Sequence, residues 1–303
     1  MIDFKPITVN EKEIYSSHMA ECGERGCEFS FANLYLWGRQ KYAVLHGHVA
    51  LFSQFNRRTV YPYPVGAGDK KAVLEAIISD AAERGIPCRI TGLNAEARQT
   101  LESLYPNKFR FHCDRDSFDY VYEIDSLADL KGKKYHRKRN HFNRFCDNNP
   151  DYTVEEFSDS NIERVCRMVS DWYADRLAAD PDADFQMERS ALKKALRDYR
   201  ALGMDGLALF CGGEISAVTL GSRMSADTFD VHFEKARADV DGAYAAINCE
   251  FARHIRAKYQ GVKFLNREED MGIEGLRKAK ESYYPHHMVE KCWACLLEDG
   301  YEY

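Results

Sequence analysis

Gly206-Leu207-Ala208-Leu209-Phe210-Cys211-Gly212-Gly213-Glu214-Ile215-Ser216-Ala217-Val218-Thr219-Leu220-Gly221-Ser222-Arg223 reads as two strands, 206–211 and 214–223, closed by a Gly-Gly turn. Working outward, a strand at 152–157 and helices at 161–177 and 188–202 come before it. A strand at 227–236, a helix at 243–259, a short strand at 262–265, a helix at 273–283 and a last strand at 287–297 come after. The first half gives the same order: a strand at 2–8, helices at 11–21 and 31–41, and a hairpin at 42–55 with Gly47 near its turn. A helix at 69–84, a strand at 88–93, a helix at 95–105 and a long aromatic strand region at 109–124 follow. The pattern predicts an α/β protein of two tandem domains with mixed sheets, 1–130 and 131–303, the second opening with a basic helix.

A chain of 303 residues is ample for two cores. Its 45% hydrophobic and 30% charged residues are those of a globular protein, and the aromatic share of 13% is high. A net charge of -6 argues against wholesale coating of nucleic acid but leaves room for a local basic patch. No signal peptide and no membrane-spanning run is read, so the expected location is the cytoplasm. Ten cysteines scattered over such a chain are expected as thiols. Cys292 and Cys295, three apart on a strand, point to opposite faces and are expected reduced and metal-free; a zinc site shared with Cys22 and Cys27 is the other reading.

Three segments carry candidate chemistry. The densest basic run, 131–144, holds Lys134, Arg137, Lys138 and Arg139. Helical spacing puts Tyr135, Arg139, Phe142 and Cys146 on one face, so Arg139 is expected buried against a carboxylate or a ligand phosphate; plain solvation of the run is the alternative. In the strand at 228–235, alternation sets Phe229, Val231 and Phe233 against Asp230, His232 and Glu234. Three ionisable groups on one face suggest a cleft or a wet edge, and His232 and Glu234 are residue types suited to general-base work. Finally, Asn266, Arg267, Glu268, Glu269 and Asp270 leave a short strand and run into a helix, where ligands collect in open α/β sheets. The acids suit a substrate ammonium or the next helix's dipole. No metal site is assigned.

The element order resembles that of an acyl-CoA N-acyltransferase (GNAT-like) domain, here in tandem. Residues 230–235, Gly242-Ala243-Tyr244 with Ile247-Asn248, 266–272 and 275–285 resemble the C-terminal domain of phosphatidylglycerol lysyltransferases and the soluble proteins grouped with it. The wider clan includes the Fem-type peptidoglycan aminoacyltransferases. The resemblance implies transfer of an aminoacyl group from aminoacyl-tRNA to an amine or hydroxyl acceptor. It also implies that Lys280 holds a phosphate-bearing group; complementing the helix dipole near the last turn is the other reading of that lysine. Two departures stand out. Nothing here corresponds to the lysyltransferases' membrane domain, which points away from a lipid acceptor. The loop that binds the diphosphate in acetyl-CoA enzymes aligns with Asp239-Val240-Asp241-Gly242-Ala243-Tyr244, whose acids oppose CoA.

The expectation is therefore a transferase with no tightly bound cofactor, using aminoacyl-tRNA as donor and a small-molecule or peptide acceptor. Glu234 or His232 would serve as base, with Asp230, Asn248, Asn266, Arg267, Glu268, Glu269 and Asp270 at the substrate. Lys134, Arg137, Lys138, Arg139, Arg277 and Lys280 would be at the donor phosphates. An acyl-CoA-dependent N-acyltransferase and a non-enzymatic phosphate- or nucleic-acid-binding module are the alternatives.

Overall fold

A computed structural model describes residues 1–38, 40–55 and 58–297. The chain forms two compact units: residues 1–119 with 269–274 and 288 onward, and residues 120–268 with 275–287. Neither unit is one continuous stretch, so the chain passes between them several times instead of once near residue 130.

The first unit begins with β1 (Lys5–Pro6), α1 (Lys12–Met19) and α2 (Phe31–Trp37). The strands β2 (Gln40–Leu45), β3 (His48–Phe55), β4 (Arg58–Pro62) and β5 (Val65–Gly66) follow. Then come α3 (Lys70–Arg84), β6 (Arg89–Leu93), α4 (Ala95–Leu104) and β7 (Phe109–Cys113). Asp69 caps α3 by accepting from the Ala72 amide at 3.0 Å.

The aromatic run expected as one strand at 109–124 is broken by a 3-10 turn at Arg115–Ser117, and its second part, β8 (Asp119–Glu123), joins the other sheet. There it is followed by α5 (Ile124–Asp129), α6 (His136–Asn148), β9 (Thr153–Glu156), α7 (Ile162–Ala179) and α8 (Gln186–Leu202). The next elements are β10 (Met204–Cys211), β11 (Glu214–Arg223), β12 (Thr228–Ala236), α9 (Ala243–Lys258), β13 (Phe264–Asn266) and α10 (Glu274–Glu281). The last described elements are β14 (His287–Val289) and β15 (Cys292–Leu296). Gly212 and Gly213 both have positive φ, 57° and 81°, and join Cys211 directly to Glu214, the two-residue turn that matches strand twist.

One sheet runs β1-β2-β3-β4-β6-β15-β7, with β5 on β3; the other runs β14-β8-β13-β12-β11-β10-β9. Each contains one parallel pair joined through a helix: β4 with β6, and β12 with β13. The core of the second unit includes Phe229, Phe251, Leu209 and Tyr173. On α8, Ala191, Leu192, Ala195, Leu196, Tyr199 and Leu202 form the buried stripe expected of a helix lying on a sheet.

The last segment, expected as one strand at 287–297, parts at Glu290 and Lys291, and β15 enters the first unit's sheet. There Cys292 stands opposite Cys113 on β7, Cα atoms 4.2 Å apart, and the two form a disulfide. The expectation of a reduced Cys292 fails because the partner strand belongs to the first half of the sequence. Cys295 is buried and outside the disulfide.

Candidate functional site

The parallel pairing of β12 and β13 covers only Thr228–Asp230 against Phe264–Asn266. Beyond it β13 ends and β12 continues to Ala236, so the strands part. Opposite β11 the register of β12 slips: Gly221 faces Val231, Leu220 faces Phe233, and His232 is the extra residue. Such a bulge changes the alternation of side chains. Phe229 meets Phe251 of α9, and five residues later Glu234 meets Asn248 of the same helix. Strict alternation would have put these two on opposite faces. The single polar face drawn through Asp230, His232 and Glu234 is thus corrected to two groups.

In the first group, His232 Nδ1 lies 3.0 Å from Glu268 Oε1 and 3.5 Å from Asp230 Oδ2, and its Nε2 lies 2.8 Å from Ser222 Oγ. The imidazole is 1% exposed. Asp230, His232 and Glu268 place three ligand-type atoms within 4.8 Å of one another. Glu268 has φ 58°, a costly conformation for a residue with a Cβ. Its amide donates to Asn266 Oδ1, and its carbonyl accepts from the Tyr120 amide and the Lys280 ammonium. Lys280, expected near a cleft mouth, is buried; its ammonium also bonds the Arg267 carbonyl at 2.5 Å, so it holds this loop.

In the second group, Glu234 Oε1 accepts from Arg267 Nη2 at 3.0 Å and Oε2 from Asn248 Nδ2 at 3.3 Å. Asn248 is 3% exposed, and among the described residues neither its Oδ1 nor Arg267 Nη1 has a hydrogen-bond partner. The Arg267 guanidinium lies 5.1 Å from the centre of the Tyr283 ring, and the Lys138 ammonium lies 3.9 Å from the same centre. Burial, then the neighbouring Arg267, pull Lys138 down to about 8. The inward cation of α6 is therefore Lys138, one residue from the expected position. Arg139 is half-buried, and its Nη1 donates to the carbonyls of Leu130 at 2.6 Å and Gly132 at 3.2 Å, at the end of α5. Its expected carboxylate or anion is replaced by backbone acceptors, because the packed stripe runs through Phe145, not Cys146. Lys134 and Arg137 are exposed, and Arg277 is half-buried on α10.

Helix α6 also packs on the loop that enters α9. A Cβ on Gly242 (φ 81°) would fall 2.7 Å from the His141 carbonyl oxygen and 2.9 Å from Phe145 Cβ. In the same loop Asp241 pairs with Arg144 at 2.6 Å and Asp239 with Arg237 at 2.6 Å. A separate cleft of about 550 Å³, unmarked in the sequence reading, is lined by Arg164, Arg167, Asp171, Trp172, Arg176 and Arg237 among others. Its mixed charges on α7 and the end of β12 have no motif spacing by which to find them.

Glu269 and Asp270, expected to share a cleft with His232, belong to the first unit. Glu269 pairs with Lys291 at 2.7 Å, and fully buried Asp270 lies 3.4 Å from Arg115 Nη1 and accepts from the Gly272 amide. Lys291 gathers Asp119 at 2.7 Å and Glu28 at 3.2 Å as well. Sequence reading missed this hub because its members are dispersed from residue 28 to residue 291.

Two α/β units, each with a parallel pair joined through a helix, define a tandem N-acyltransferase-like fold. The model of the family described as phosphatidylglycerol lysyltransferase, C-terminal, matches residues 19–295, and the chain belongs to that family. Similar solved structures include a conserved protein of unknown function from Bacteroides thetaiotaomicron, 39% identical, covering 98% of this chain and 100% of that chain with a TM-score of 0.93. L-PGS from Bacillus licheniformis is 19% identical over 98% of this chain and 94% of that chain, TM-score 0.68. FemX is 12% identical over 98% of each chain, TM-score 0.62. No curated protein matches the sequence. Family and fold point to an acyl- or aminoacyl-transferase. Among the described residues no helix is long and apolar enough to cross a membrane.

Proposed function

We propose that the protein moves an aminoacyl group from aminoacyl-tRNA to an amine or hydroxyl acceptor by direct attack. The observation that carries this reading is the placement of α6. Its outer side presents Arg137, with Lys134 just before the helix, while Lys138 turns inward to the ring of Tyr283 beside Arg267. One basic helix thus offers a surface for a polyanion and a cation at the Glu234 group. The same helix covers the loop before α9 and leaves two aspartates there, which disfavours a CoA diphosphate on that helix end.

Glu234 accepts the proton of the attacking nitrogen or oxygen and returns it to the ribose oxygen that leaves the ester. Arg267 holds that carboxylate, and Asn248 Oδ1 offers an acceptor to the aminoacyl ammonium. His232, closed off between Ser222 and Glu268, positions the loop. The test mixes purified protein with a labelled pool of charged tRNA and a panel of amines, hydroxyl compounds and short peptides, with labelled acyl-CoA in parallel. Label moving from tRNA supports the reading. Label moving only from acyl-CoA, or no retention of tRNA by the protein, overturns it.

A further inference from the structure

Arg25 is 7% exposed, yet among the described residues its Nε and Nη1 have no hydrogen-bond partner. A guanidinium that has given up water normally recovers hydrogen bonds from a carboxylate or another oxyanion. In the same unit Glu28, Asp119 and Glu269 pair with Lys291. Arg25 lies against the ring of Tyr63, 5.4 Å from its centre, and the Lys70 ammonium lies 5.1 Å from the same centre. Lys70 has two long bonds, to the carbonyls of Pro64 at 3.4 Å and Gly66 at 3.3 Å. Among the described residues no ion pair joins either cation to Glu96, the exposed acid on the first turn of α4. Burial lowers the pKa of Lys70, a penalty that a bound anion would relieve.

The place is equally specific. Tyr63 directly follows β4, and its amide donates to the Thr91 carbonyl at 2.9 Å, the last link before β4 and β6 part. Lys70 is the first residue of α3, a helix of 15 residues.

We infer that Arg25, Lys70 and the Tyr63 ring form a binding site in the first unit for the oxyanion group, carboxylate or phosphate, of a ligand. The inference does not depend on the transfer reaction, since it rests on the first unit alone.

Inorganic phosphate and acetate are titrated separately into the full chain by calorimetry in a buffer poor in other anions. Saturable binding near one anion per chain is expected. Phosphate binding tighter than acetate points to a phosphate-bearing ligand, and the reverse order points to a carboxylate. Arg25→Gln and Lys70→Gln should each weaken binding by roughly 10-fold or more, the loss expected for a charged hydrogen bond. Arg25→Lys, which keeps the charge and removes the planar fork, should fall between. Half-exposed Lys70 provides the test even if Arg25→Gln fails to fold. No saturable binding of either anion overturns the inference. So does binding equally strong in the Lys70→Gln and Arg25→Lys variants, which would place the anion elsewhere, for example on α6.

Discussion

Glu234→Gln should damage the protein in two separable ways. The pair with Arg267 is 3.0 Å long, and the side chains are 12% and 14% exposed. At an effective dielectric of about 20, Coulomb attraction at that distance is about 5 kcal/mol, an upper bound from which desolvation subtracts. Removing one partner of a fully buried pair costs roughly 3–5 kcal/mol; with about an eighth of each side chain wet, about 2–4 is expected here. Glutamine keeps the shape and a partner for Asn248 but leaves the Arg267 charge uncompensated, with Nη1 already unpartnered. Arg267→Met should cost a similar amount, because it strands the Glu234 charge. The double variant should regain about 2 kcal/mol of the summed loss, since neither charge is then left alone. Urea unfolding followed by circular dichroism measures all four corners of the cycle. Transfer from charged tRNA, measured where each variant is folded, should drop roughly 100-fold in Glu234→Gln and stay low in the double variant. Costs that add to within about 0.5 kcal/mol would refute the ion-pair argument. Full transfer by Glu234→Gln would refute the assignment of the base.

Lys138 titrates near 8 in the folded protein against an ordinary 10.5, so between those values the unfolded chain holds a proton that the folded one has released. Stability should therefore rise with pH across that window, and the rise should shrink in Lys138→Gln; parallel pH profiles for the two proteins would contradict it. Gly242→Ala must accept φ 81° and a Cβ 2.7 Å from the His141 carbonyl, so it should cost about 2–4 kcal/mol by denaturant unfolding, from backbone strain plus overpacking. A loss below about 0.5 kcal/mol would mean that α6 does not press on the loop. Thiol titration in denaturant should find eight reactive thiols before reduction and ten after, since Cys113 and Cys292 are bonded to each other and the other eight stand outside that disulfide; ten at the outset would disprove the bond.

What the sequence made legible was whatever is local. Gly212-Gly213 marked the hairpin because two consecutive positive φ values call for glycine. Asp69 and Gly85 delimited α3 through capping chemistry. The early stop of β13 after Asn266 brought Arg267 and Glu268 to attention correctly as loop residues. What stayed hidden needs a neighbour to exist. The bulge at His232 is a property of the β11–β12 register, and no alternation count over 228–235 can contain it. Lys138 and Arg139 differ by one helical step, and which one faces inward depends on the fit of Phe145. Cys113 and Cys292 are 179 positions apart, and only the return of β15 makes them neighbours.

That return affects the order in which the protein can be made. Strand β15 lies between β6 and β7, so until it arrives those two strands have no partner across the space they will share. A ribosome delivers β6 about 200 and β7 about 180 residues before β15, by which time residues 120–268 of the other unit have already emerged. The first part of the protein to be synthesised is thus among the last to be completed. During that interval it exposes two open strand edges, the surface on which chains pair wrongly. Nascent chains halted before residue 292 should keep the first unit sensitive to protease, and a chaperone that shields strand edges would act there.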